Sequence, residues 1–251
     1  MPARNSQTLM QANREEDTVQ AIASLLHVQS AELWLAIINF LLMIPALVLH
    51  ELSHGWVAYK LGDTTAKRAG RLTLNPLKHI DLFGTILLPA SMFFITSALG
   101  GRSFAFGYAK PVPINPNNFR DRKKGILLTG LAGPACNICL AIASGILCWV
   151  MILLVGVRTS AVVSIIYLLL HQFAFINLMF AFFNLIPIPP LDGSRVLQRF
   201  LPPSARRFYF QLERWGFLII LAIMWLAPGI LDTYFNYTVV PLVHLLTGMA
   251  V

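Results

Sequence analysis

Charge is what this chain has least of. Of its 251 residues, 12% are Asp, Glu, Lys or Arg and 57% are hydrophobic, and the mean hydropathy is +0.68. Globular domains carry roughly 25% charged residues, so this composition excludes a water-soluble globule and indicates a membrane protein. Acidic residues are the scarcer sign, 11 against 19 basic ones. The basic excess is not a nucleic-acid footprint, because it falls between apolar stretches, where charge encodes topology and contact with anionic lipid. The three cysteines, Cys136, Cys139 and Cys148, share one apolar stretch. The lone Cys136–Cys139 CxxC has no second pair, which favours small packing residues over metal or redox work. The first thirty residues lack an apolar core, since Glu15-Glu16-Asp17 stands where a signal peptide would need one. They read as a polar surface segment, with a loose amphipathic helix over 12–29. No insert is long enough for an extra globular domain, and no internal repeat is visible. The expected organisation is therefore a polar segment 1–30 followed by a single membrane domain 31–251.

What the chain has in abundance is uncharged apolar sequence. Five such stretches cover 33–49, 82–101, 125–157, 159–191 and 215–231, and a weaker sixth runs from Thr233 to Val251. A span needs roughly 20 apolar residues. The expected fold is an all-α polytopic membrane protein of about five to six helices. Three loops, 60–81, 102–124 and 192–214, hold most of the basic residues, and the positive-inside rule assigns all three to the cytoplasm. Stretch 82–101 must then enter and return on one side, which is tolerated where backbone lines a protein or water cavity. Phe104–Ile114 could supply the return as a short membrane-associated β element; a full crossing of 82–101 is the alternative.

His50-Glu51-Leu52-Ser53-His54 ends the first uncharged run. On a helix, His50 and His54 lie one turn apart on one face, the spacing of a zinc-ligand pair with the glutamate as general base. Charge at membrane depth is costly and usually functional. A catalytic zinc takes three protein ligands. Among the later acids, Asp63 follows the same helix and points into a basic loop, Asp81, Asp121 and Glu213 sit in or beside basic loops, and Asp232 falls on the opposite face. Asp192 differs, because it ends the apolar approach Asn184-Leu-Ile-Pro-Ile-Pro-Pro-Leu191, whose prolines hold an extended segment before Gly193. It is the candidate third ligand. Glu51 is the candidate base, then acid. Asn184 could donate to an oxyanion or bind substrate backbone, with a packing bond as the plainer role. Asn137 stands between the same readings. His79 could stabilise the transition state or sit bonded to Asp81, and His171 reads as core.

HELSH in a membrane helix followed by NLIPIPPLDG resembles the site-2 protease family of intramembrane zinc metalloproteases, whose pattern is HExxH with a later NxxPxPxLDG. The match falls on His50, Glu51, His54, Asn184, Pro187, Pro189, Leu191, Asp192 and Gly193. Residues 70–81, 107–113 and 132–137 resemble the small prokaryotic branch without a PDZ domain, and the resemblance covers roughly 35–200. It implies Zn2+ held by His50, His54 and Asp192, and a transmembrane-helix protein as substrate. The expected setting is the cell membrane, multi-pass, with the site near the cytoplasmic side. A zinc-binding membrane scaffold or transport component that does not cleave is the alternative. Oligomeric state is not legible.

Overall fold

The structure, a computed structural model, describes residues 33–91, 109–156 and 160–249. The expected helix over 12–29, the second half of the 82–101 stretch and the 104–108 part of the expected strand lie outside these residues. The chain divides into two units, 1–41 and 42–251. The described part of the first is 33–41, where helix α1 (Leu33–Lys60) begins.

Three helices are long and apolar enough to cross a membrane: α1, α4 (Arg122–Leu154) and α5 (Ala161–Asn184). At about 1.5 Å per residue, α4 is roughly 50 Å long, well beyond a hydrocarbon core of about 30 Å. Only 17%, 28% and 22% of their most apolar windows are buried. Side chains such as Ile146, Leu153, Leu154 and Val162 face outward. Apolar surface of this extent suits contact with lipid.

Each boundary has a local cause. α1 stops where Gly62 adopts a positive φ of 110°, a conformation that costs glycine nothing. Asp121 caps α4 by accepting from the Lys123 and Lys124 amides, and Ser160 caps α5 by accepting from Val163. After α5, Pro187, Pro189 and Pro190 hold an irregular segment until α6 (Asp192–Gln198) begins. α7 (Pro203–Glu213) and α8 (Gly216–Leu226) follow. The apolar stretch 215–231 is not one element. It breaks at Ala227, and Pro228 starts α9 (Pro228–Thr247), the first helical position being one that proline favours. α8 and α9 meet at 89°, so they form one broken span or a re-entrant pair.

Between α1 and α4 lie α2 (Thr65–Arg68) and α3 (Leu82–Ser91). The latter opens with a π-helical turn capped by Asp81, whose Oδ1 accepts from the Gly84 amide at 2.7 Å. No strand occurs among the described residues, and 109–114 belongs to neither a helix nor a strand. Asp63 departs from its expected setting. It is fully buried and accepts from the Asn115 amide at 2.7 Å and Asn118 Nδ2 at 2.8 Å, tying the end of α1 to the segment before α4. Burial opposes its ionisation, but hydrogen bonds from Thr65, Asn118 and Asn115 prevail and hold its carboxyl below the usual range.

The apolar core joins α4, α5, α8 and α9 through Ala141, Ala174, Leu178, Phe183, Ile220, Met224, Phe235, Val239 and Val243. Leu191 enters the same core. That contact docks the turn before Asp192 onto the bundle.

Candidate metal centre

His50 and His54 occupy successive turns of α1, so both imidazoles leave the helix in one direction. Asp192 opens α6, 142 positions from His50. The structure brings all three together, each less than a tenth exposed. His50 Nε2 and His54 Nε2 are 3.0 Å apart. Asp192 Oδ2 stands 3.2 Å from the first and 3.1 Å from the second. Ligand atoms about 2.0–2.1 Å from a tetrahedral ion lie roughly 3.3 Å from one another, so this triangle fits zinc with a slight expansion. It is the one such group among the described residues.

The imidazoles are oriented from behind. His50 Nδ1 lies 2.5 Å from Asn137 Oδ1, and His54 Nδ1 lies 2.6 Å from the Thr129 carbonyl. Both partners are acceptors, so each ring carries its proton on Nδ1 and presents the Nε2 lone pair to the triangle. Asn137 is itself fixed, since its Nδ2 donates to Asn177 Oδ1 at 2.8 Å, and Asn177 Nδ2 donates to the Phe173 carbonyl at 2.8 Å. Asn137 therefore contacts a ligand candidate from the rear and does not face the cavity.

One face of α4 supplies most of this frame. Thr129, Gly133 and Asn137 recur every four residues and share a face. A Cβ at Gly133 would stand 2.4 Å from His54 Nε2 and 2.5 Å from His50 Nε2, so glycine is what leaves space beside the ligand atoms. Gly193 is equally confined, with a Cβ placed 2.2 Å from the Leu185 carbonyl. It lets α6 start against the end of α5.

Glu51 lines a cavity of about 470 Å³ together with His50, His54, Asn184, Asp192 and Arg195, within the usual size of ligand sites. Its Oε2 accepts from the Val112 amide at 2.9 Å. The Val112 segment is held at Lys110, whose amide donates to the His79 carbonyl at 2.9 Å and whose carbonyl accepts from Arg71 Nη2 at 2.6 Å. Asn184 lines the cavity but spends its Nδ2 on the Phe180 carbonyl at 3.0 Å. His79 is fully buried and outside the cavity lining. Its Nε2 lies 2.9 Å from the Thr73 carbonyl, not on Asp81 as expected, because Asp81 is engaged in capping α3. His171 is half-buried and pairs with Thr247 Oγ1 at 2.9 Å, away from the cavity.

The sequence reading did not single out Thr129, Gly133, Asn177, Val112, Arg71 or Arg195 for these positions. The spacing of Thr129, Gly133 and Asn137 along one apolar helix was the available signal. Backbone partners such as the Val112 amide leave none.

The chain matches the family model described as peptidase family M50 over residues 36–227. It is similar to YwhC of Bacillus subtilis, provisionally named a zinc metalloprotease, with 39% identity over 72% of this chain and 77% of the relative. It is also similar to Rip2 of Mycolicibacterium smegmatis, provisionally named likewise, with 30% identity over 76% of this chain and 67% of the relative. No solved structure gives a significant match.

Proposed function

Because the chain belongs to peptidase family M50, the zinc metalloproteases of the site-2 protease type, we propose that it hydrolyses a peptide bond within or near a transmembrane helix of a membrane-protein substrate. In this reading His50, His54 and Asp192 hold Zn2+, and Glu51 is the general base and then the acid. The carrying observation is the juxtaposition of Glu51 with the His50–His54–Asp192 triangle in one cavity, at the end of an apolar helix most of whose surface faces outward.

Zinc in such a site polarises the scissile carbonyl and lowers the pKa of water. The chain's own groups do the rest. Asn137 and the Thr129 carbonyl fix the imidazole tautomers. The Val112 amide anchors Oε2 of Glu51, leaving Oε1 to take a proton from water and pass it to the leaving amine. Apolar walls from Met43, Leu47, Phe83, Phe180 and Phe217 keep bulk solvent away and strengthen these charges. Asn184, on the cavity wall, is positioned for a substrate backbone through its Oδ1, whereas His79 and Asn137 serve as supports.

The finer topology follows from charge. The cell membrane holds a single domain over 31–251 with five to six helices, the 82–101 stretch entering and returning on one side and 109–114 running along the cavity. The site opens toward the cytoplasm, because Lys60, Lys110, Arg122 and Arg195 belong to the elements around it. A Glu51→Gln variant tests the reading. Cleavage of a membrane reporter should fall by roughly 10²–10⁴-fold while bound zinc stays at the wild-type level. Undiminished cleavage by that variant would overturn the assignment.

A further inference from the structure

Arg195 is absorbed neither by the HExxH pair nor by the aspartate. It stands one helical turn after Asp192, and it is the one Lys or Arg among the described residues that line the cavity. The Asp192 carboxylate is divided. Oδ2 faces both imidazole nitrogens at 3.1–3.2 Å, and Oδ1 faces Arg195 Nη1 at 3.5 Å. The arginine stem is seated on α4, where a Cβ at Gly130 would lie 3.1 Å from Arg195 Cβ and 3.7 Å from its Cδ. Gly130 is thus the bare patch of helix along which the stem runs, next to Thr129, whose carbonyl holds His54.

A carboxylate beside a zinc ion ligates through one oxygen or through both. Two-oxygen ligation adds a fifth donor and crowds the position that a hydrolase must keep open. We propose that Arg195 is a positioning residue that keeps Oδ1 of Asp192 out of the metal's reach and so enforces one-oxygen ligation. The inference rests on the zinc site proposed above. The Arg195 side chain is 42% exposed, but its cation at Oδ1 gives that oxygen a partner of its own, and a planar guanidinium can do this with a direction that an ammonium lacks.

The test is cobalt substitution of the purified full-length protein in detergent, read by visible absorption together with zinc affinity by chelator competition. Four-coordinate Co2+ absorbs strongly in the visible and five-coordinate Co2+ weakly. Wild-type protein should give the strong spectrum. Arg195→Met should lower it to the weak type and weaken zinc binding by about 10–100-fold, and Arg195→Lys should recover part of both. Circular dichroism and thermal melting of each variant establish that the helices persist; if Arg195→Met does not fold, Arg195→Gln carries the comparison. A strong four-coordinate spectrum in folded Arg195→Met protein, or in Arg195→Gln if that variant stands in for it, would overturn the proposal, even if affinity falls. A wild-type protein that takes up neither metal would instead overturn the zinc site itself.

Discussion

The two halves of α4 use the same device for different ends. In the half near Asp121, Gly130 and Gly133 clear room for side chains, the Arg195 stem and the imidazoles. In the far half, Gly145 clears room for backbone, since a Cβ there would stand 2.6 Å from the Leu246 carbonyl of α9. The polar partners follow the same division. Near Asp121 they orient potential ligands. In the distal core they hold helix ends together, as when Tyr167 donates to the Thr247 carbonyl at 3.1 Å. A small residue on a membrane helix is therefore not informative by itself. What it admits decides whether it serves chemistry or packing.

Substitutions separate the two cases. Gly133→Ala should have the largest effect, because its methyl group collides with the ring atoms that would bind metal. Those rings can swing aside, so the fold should persist while zinc affinity falls by more than ~100-fold, beyond what a missing outer partner costs; competition titration checks it. Asn137→Ala comes next. It strips the acceptor from His50 Nδ1 at a fully buried site and should weaken zinc by about 10–100-fold. It should also cost about 1–3 kcal/mol through the buried donor left unpaired, seen as a lower melting temperature. Gly145→Ala is the smallest and the inverse. Overpacking costs about 1–3 kcal/mol, partly offset by about 1 kcal/mol of helix propensity, and zinc affinity should not move. A Gly145 variant that loses zinc, or a Gly133 variant that keeps it, would break the distinction.

How far the sequence foretold this depends on what kind of group does the work. His50, Glu51, His54 and Asp192 were legible because the chemistry lies in residue identity, and His-Glu-x-x-His and a proline-bound Asp-Gly are rare in uncharged surroundings. The long apolar helices were legible by composition. The break at Ala227 was not, because hydropathy continues across Pro228 and Gly229 while backbone geometry does not. Arg195 was hidden among basic residues that read as topology. Asp63 was misplaced for a related reason: its neighbours are basic in sequence, yet in space its partners are the neutral donors of Thr65, Asn115 and Asn118.

The Lys110-Pro-Val-Pro113 passage beside Glu51 has only two amide hydrogens, since prolines have none. One is spent on His79 and the other on Glu51. A visiting polypeptide laid along those four residues would be offered no amide hydrogen, and the Lys110 carbonyl is already held by Arg71. Any chain that paired there would therefore do so one-handed, giving hydrogens and receiving none.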